Sequence, residues 1–415
     1  MTASGGTQAP HLPPAVRALA HRNFRLYFAG QAISILGSWI QQVALSWLVY
    51  RLTGSAALLG VTAFCSLVPQ LLVGPVAGAW VDKQDKKKWL VGVQSLLASQ
   101  AFVMAGLCWM QWITTSFILA MAVCLGILNS FDTPLRQSLI GSFVVKREDL
   151  PNALALNAML FNTGRFLGPP IAGLLLGLTS ETLCFALNGC SFLALIAALT
   201  LVHGEALPKA QGSVGEVFKE GLTYAWQTWT VRMLILTLIV VNLTASNYAV
   251  LLPIFAREIF AGDAKTLGWL WGAAGCGAFV STLYLTTRTL TQLLNSIVAG
   301  VGISAISLLV FASTGWLPLA MCSMACLGFG ITVCNVGINM VLQSTSPERL
   351  RGRVVSFFTS TRFGFDALGG LLAGLVAAVL GVQRTLWMSS AALLVFAGFL
   401  MSRRIQLHLK IKTLT

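Results

Sequence analysis

The strongest constraint in this sequence is a succession of apolar runs, each about 20 residues long, separated by short polar segments. A helix of that length crosses the roughly 30 Å hydrocarbon core of a bilayer. Lipid offers the backbone no hydrogen-bond partners, so a spanning segment must satisfy its own, as a helix does. The runs fall near Phe24–Tyr50, Ala56–Val81, Trp89–Met110, Ser116–Gly141, Ala153–Leu178 and Leu183–Val202 in the first half of the chain. In the second they fall near Met233–Phe255, Leu267–Leu285, Leu294–Ser313, Leu317–Leu342, Val354–Leu380 and Leu386–Met401. Hydrophobic residues make up 56% of the chain and charged ones 10%, far below the charge of a soluble domain, so the apolar surface must face lipid. The expectation is an all-α membrane protein with twelve transmembrane helices.

The formal net charge of +14 would suggest nucleic acid in a soluble protein, but here the basic residues punctuate the apolar runs and report topology instead. If the N-terminus is cytoplasmic, the inner segments receive Lys83, Lys86, Lys87, Lys88, Lys146, Arg147, Arg232, Arg288, Arg349, Arg351 and Arg353, among others. The outer loops then receive Arg51, Arg257, Lys265 and Arg384. That asymmetry points to both termini being cytoplasmic, and a bacterial inner membrane is the expected location. The first 20 residues lack a short apolar core before a cleavage site and read as a cytoplasmic tail. The nine cysteines lie in or beside apolar runs without a CxxC pair and read as small packing residues; no metal or cofactor is expected.

The longest polar interruption, Leu207 to Trp229, divides the chain into residues 1–203, a linker of 204–231 and residues 232–415. Within it Val214, Val217, Phe218, Leu222, Ala225 and Trp229 recur at helical spacing opposite Glu216, Lys219 and Glu220, the pattern of an amphipathic helix lying on the membrane surface. The flanking halves echo one another. Arg136-Gln137-Ser138 matches Leu342-Gln343-Ser344, and Thr163-Gly164-Arg165-Phe166 matches Ser360-Thr361-Arg362-Phe363. Two pseudo-symmetric six-helix bundles follow, an arrangement that exposes one central site to either side in turn.

Two motifs sharpen this reading. After the second run comes Gly78-Ala79-Trp80-Val81-Asp82-Lys83-Gln84-Asp85-Lys86-Lys87-Lys88, where Gly78 permits close helix approach and the lysines hold the loop inside. The fifth run carries Gly164-Arg165-Phe166-Leu167-Gly168-Pro169-Pro170-Ile171-Ala172-Gly173, whose small residues pack tightly and whose prolines remove backbone hydrogen bonds. The first stretch resembles the cytoplasmic loop signature of the major facilitator superfamily; the second resembles its antiporter motif, with Ala172 in place of one glycine. Phe131-Asp132-Thr133-Pro134-Leu135-Arg136-Gln137, Lys146 to Ala153 and Arg351-Gly352-Arg353-Val354-Val355-Ser356 are similar to the drug:proton antiporter branch that holds the enterobactin exporter and macrolide efflux proteins. The resemblance implies the major facilitator fold and export driven by proton entry. It also implies a cytoplasmic gate at Gly78, Asp82, Lys83, Lys87 and Arg136 and a helix-packing element at Gly164, Gly168, Pro169 and Gly173.

An ionisable residue at mid-membrane costs about 2.5–3.5 kcal/mol on the insertion scale, so each one needs a reason. Asp132 and Arg136 stand one turn apart on the fourth run and serve gate structure or proton coupling. Arg362 and Asp366 also stand one turn apart. Asp366 lies about 18 Å along a helix begun at Val354, close to the midplane, and is the first choice for the coupling acid, with Asp132 second. A static ion pair with Arg362 is the alternative. Arg165, with no acid one turn away, contacts cargo, an acid across the cavity, or backbone carbonyls. Gln31, Gln41, Asn242, Asn335 and Asn339 are candidate cavity residues with Arg165 and Arg362; interhelical hydrogen bonds are the plainer reading of each amide.

The expected function is therefore a proton-coupled exporter of a small anionic or metal-chelating molecule, with a siderophore ahead of an antibiotic because Arg165 and Arg362 supply buried positive charge. Its partners are protons, the small-molecule substrate and the lipid bilayer, with no nucleic acid, and the expected state is a monomer. Alternatives are a multidrug or macrolide pump, an importer or lipid flippase, and a membrane-embedded enzyme. Against the last, His11, His21, His203 and His408 all lie outside the apolar runs, and no H-E-x-x-H, phosphate loop or Ser/His/Asp set occurs.

Overall fold

The computed structural model describes residues 13–81, 84–144, 146–202, 228–346 and 348–412. Within them the chain forms twelve long helical elements. The first six are α1 (Arg22–Thr53), α2 (Ala56–Leu72, resuming as Gly74–Val81), α3 (Lys86–Trp109), α4 (Thr115–Leu139), α5 (Leu150–Leu178) and α6 (Glu181–Leu201). The second six are α7 (Trp229–Thr244, resuming as Tyr248–Ile254), α8 (Ala264–Thr286), α9 (Leu290–Ser313), α10 (Leu317–Thr345), α11 (Glu348–Leu380) and α12 (Val382–Lys412).

The turns carry their own chemistry. Gly54, at φ 59°, and Gly381, at φ 86°, adopt the left-handed conformation that reverses the chain after α1 and α11. Side-chain oxygens of Ser55, Asp85, Thr114, Ser180 and Asp263 then accept from free backbone N–H groups at the starts of α2, α3, α4, α6 and α8. The α2 break follows Pro69, and α7 is interrupted at residues 245–247 and closes in a π-turn, Phe255–Ile259.

Three boundaries differ from the sequence reading. α11 begins at Glu348 rather than Val354, α12 runs past Met401 to Lys412, and Trp229 opens α7 instead of closing a surface helix. Hydropathy marks the part of a helix that lies in lipid, whereas backbone hydrogen bonding continues beyond it. The remainder of the proposed amphipathic stretch lies outside the described residues, as do Asp82 and Lys83.

Among the described residues nine helices are long and apolar enough to cross a membrane by composition alone. The other three are α2, which is broken after Leu72, α5, diluted by glycines, asparagines and prolines, and α8, diluted by glycines, tryptophans and threonines. These three carry much of the close packing. α5 meets α8 so tightly that a Cβ on Gly268 would lie 2.6 Å from the Pro169 carbonyl oxygen, and one on Gly275 would lie 2.3 Å from that of Arg165. α2 meets α11 in the same way, a Cβ on Gly374 falling 2.6 Å from the Ala56 carbonyl oxygen. Small residues let helix backbones approach where lipid supplies no hydrophobic drive to associate.

The packing repeats with a six-helix offset. α1 packs on α5 and α6, α2 on α4, and α3 on α4 and α6; correspondingly α7 packs on α11 and α12, α8 on α10, and α9 on α10 and α12. The two main contacts that join the halves, α2 with α11 and α5 with α8, exchange under the same offset. The protein is thus two pseudo-symmetric six-helix bundles. Several contacts between them cluster at the end opposite the termini, where Tyr50 also donates to Glu258 over 2.5 Å.

Contacts within a half should be less forgiving than contacts between halves. A Cβ on Gly277 of α8 would lie 1.8 Å from the Ala325 carbonyl oxygen of α10. Gly277→Val should therefore cost at least the roughly 1–3 kcal/mol of overpacking and lower the melting temperature of the detergent-purified protein. Gly268→Val, at a junction where the halves can part, should lower it much less. Equal losses in the two variants would mean that the α5–α8 junction is as fixed as a bundle core.

Candidate functional site

Charged and polar side chains within the membrane helices fall into three groups. The first lies in the terminal half of the first bundle. Asp132 and Arg136 of α4 pair at 2.7 Å with both side chains nearly inaccessible. Gln94 of α3 donates to the free oxygen of Asp132, and Arg136 donates to Gln31 of α1. The pair is thereby satisfied within one bundle, which ties α1, α3 and α4 together. Gln94 was not singled out in the sequence; a glutamine inside the apolar α3 run, one of two with Gln100, was the available signal.

The second group is uncharged. Gln41 of α1 donates to Gln100 of α3 at 3.0 Å and accepts from Asn188 of α6 at 2.7 Å, and Ser191 donates back to Asn188 at 3.0 Å. Gln31 and Gln41 are 0% and 3% exposed, so in this state they link helices rather than line a cavity. Asn242 of α7 likewise donates to Asn335 of α10 at 2.9 Å. The plainer reading of these four amides is the one the structure adopts. Asn339, half-buried, accepts from Gln343 one turn on.

The third group straddles the two bundles. Arg165 of α5, Arg362 and Asp366 of α11, and Tyr248 and Ser246 of α7 converge there. Arg165 lies close to the Tyr248 hydroxyl and Ser246 close to Asp366, and both arginines are near enough to act on the aspartate's charge. Arg362 and Asp366 do not close into a direct ion pair; among the described residues the ion pair buried on both sides is Asp132 with Arg136. The Arg362 Nε is buried without a partner. Deep as they are in the protein, Arg165, Arg362 and Asp366 each keep some accessible surface, the condition of groups that border an internal opening.

α5 is built to hold its arginine at this junction. Gly164 and Gly168 lie against Ile35 and Trp39 of α1, whereas Pro169 and Gly173 lie against α8 of the other bundle. Trp39 and Trp271, from opposite bundles, stand edge to face at 5.7 Å, with Trp39 against Gly164 and Gly168 on either side of Arg165 in the chain. At the terminal end, Asp149 just before α5 binds Arg17 at 2.8 Å and His21 at 2.9 Å, fastening the start of α5 to the entry of α1. Of the loop residues expected at a gate, Gly78 lies in the second segment of α2, and Lys87 donates to the Val202 carbonyl oxygen at the end of α6.

Two six-helix bundles that meet around a charged centre define a membrane transporter of the major facilitator type. Residues 14–411 match the family of transmembrane secretion effectors, and the chain belongs to that family of the major facilitator superfamily. It is 27% identical over 367 residues to the staphyloferrin A transporter of Staphylococcus aureus, covering 87% of this chain and 91% of the relative. It is 27% identical to the multidrug efflux pump Tap of Mycolicibacterium fortuitum, with 84% and 88% covered, and 22% identical to macrolide efflux protein A of Streptococcus pyogenes, with 91% and 96% covered. Among solved structures, the nucleoside transporter NupG superposes with a TM-score of 0.71 at 13% identity, covering 92% of this chain and 99% of that one. The chain is a multi-pass transporter and not an enzyme.

The buried pair in α4 gives a direct test. Asp132→Asn leaves the Arg136 charge uncompensated and should destabilise the purified protein by about 3–5 kcal/mol, the usual cost of breaking a buried pair from one side. Asp132→Asn combined with Arg136→Met should recover a large part of that loss in thermal unfolding. A double variant as unstable as the single one would show that the pair is not what holds α1, α3 and α4 together.

Proposed function

We propose that this protein exports a small molecule from the cytoplasm in exchange for protons, by alternating access, with a siderophore as the favoured cargo. The observation that carries the reading is the Arg165, Arg362 and Asp366 group, set where the bundles meet and bordered by accessible space. Such charges are tolerated inside a bilayer when water or cargo reaches them.

In this reading the protein sits in a bacterial inner membrane as a monomer with both termini cytoplasmic. The described contacts between bundles seal the far end, so the central group is reached from the cytoplasm, the side from which an exporter loads. Asp366 carries the proton. A carboxylate beside a guanidinium stays ionised and one left alone in an apolar site takes up a proton. Arg165 rides on one bundle and Arg362 with Asp366 on the other, so rocking changes how closely Arg165 approaches Asp366 and couples the proton to the motion. Asp132, locked to Arg136 and Gln94, is the second choice for this role and better suited to gate structure.

The siderophore preference rests on the excess positive charge of the site and on the similarity to a staphyloferrin A transporter. A multidrug or macrolide pump is the second reading, favoured by the similarity to Tap and macrolide efflux protein A and by the Trp39 and Trp271 rings, which suit a planar cargo.

Inside-out vesicles with an acid interior and a quenched pH dye should dequench when the cargo is added, because cargo entry drives protons out. No response across a panel of siderophores, macrolides and other drugs would count against export. Asp366→Asn should abolish the proton-coupled signal while retaining cargo binding; full coupled transport in that variant would remove Asp366 as the proton carrier.

A further inference from the structure

The group at the junction is one negative charge short. Arg165 and Arg362 occupy equivalent places in the sequence echo of α5 and α11, so the pseudo-twofold relation brings one guanidinium from each bundle to a shared centre. One turn on from Arg362 stands Asp366, but one turn on from Arg165 stands Pro169, so two cations share a single carboxylate. The remaining polar neighbours, Tyr248 and Ser246, carry no charge to offset the difference.

Two buried groups with unmet hydrogen-bonding capacity have the same sign. The Arg362 Nε and the Trp271 Nε1 are both buried without a partner, and both are donors that cannot accept. Trp271 stands one turn before Gly275, whose α-carbon faces the Arg165 carbonyl, and its ring meets Trp39 across the junction. A partner that neutralises the site must accept hydrogen bonds, bear negative charge and tolerate aromatic walls. Guanidinium groups bind carboxylates through two parallel hydrogen bonds.

We propose that Arg165 and Arg362 form a binding site for a carboxylate group of the cargo, flanked by Trp39 and Trp271, with Asp366 as the internal anion that the cargo displaces. This rests on the export reading for its biological sense but not for its test. The cargo class becomes a carboxylate-bearing molecule with a planar portion, in preference to a cationic drug.

The test is a matched pair of probes, salicylate and its neutral amide salicylamide, titrated against the full-length protein in detergent while tryptophan fluorescence is read. Salicylate should bind at least about tenfold more tightly, since the amide brings no charge to the paired arginines. Arg165→Gln and Arg362→Gln should each remove most of that preference, and Arg362→Lys should restore part of it. Asp366→Asn should tighten salicylate binding, because it removes the competing carboxylate. If that variant fails to fold, competition by sodium benzoate against salicylate in the unaltered protein still tests whether the site takes a carboxylate, and absence of competition would count against it. Equal binding of the two probes, or a preference that survives both arginine changes, would overturn the proposal. Charge-blind binding together with vesicle export of a cationic macrolide would sink this site while sparing export. Salicylate preference without flux for any cargo would spare the site and sink export.

Discussion

A charge held inside a bilayer must be answered by another group, and the way each one is answered organises this molecule. Asp132 and Arg136 are answered within one bundle by each other and by neighbouring glutamines, which makes that bundle a unit. Arg165, from across the junction, and Arg362 are answered incompletely by one aspartate. The first arrangement costs little to keep and gives rigidity. The second is satisfied only with help from water or cargo, and its members ride on different bundles, so its energy depends on how the bundles are placed.

The packing supports the same division. Close glycine contacts hold α8 to α10 inside a bundle and α5 to α8 between bundles, and similar steric economy serves two purposes. Inside a bundle it is backed by hydrogen bonds such as Gln41 with Gln100 and Asn188. Between bundles it is a smooth surface of backbone and small side chains, with Tyr50 and Glu258 as a polar contact at the far end. Smooth surfaces separate without leaving buried polar groups unpaired, which suits a junction that must open.

Much of this was legible in the residues. Apolar run length placed the twelve helices, because lipid leaves a backbone few alternatives. The positions of Arg362 and Asp366 one turn apart, and the echo of Arg165 with Arg362, pointed to the central group. Hydropathy could not give helix ends, since α11 and α12 continue beyond the lipid-facing segment. Nor could spacing along one helix tell a cavity-facing amide from one bonded to its neighbour, which is why the sequence left both readings of Gln31 and Gln41 open and their partners on other helices decide between them. Gln94 escaped for the same reason, its meaning residing in Asp132 thirty-eight residues away.

The central claim is that the two bundles part at one end as they meet at the other. Spin labels at Gly141 and Thr287 report the separation of the bundles at the terminal end, and labels at Thr179 and Gly315 report it at the far end. With the protein in lipid nanodiscs, pulsed dipolar distances measured as pH and cargo are varied should change in opposite senses at the two ends. Distances that stay fixed at both, or lengthen and shorten together, would contradict the account.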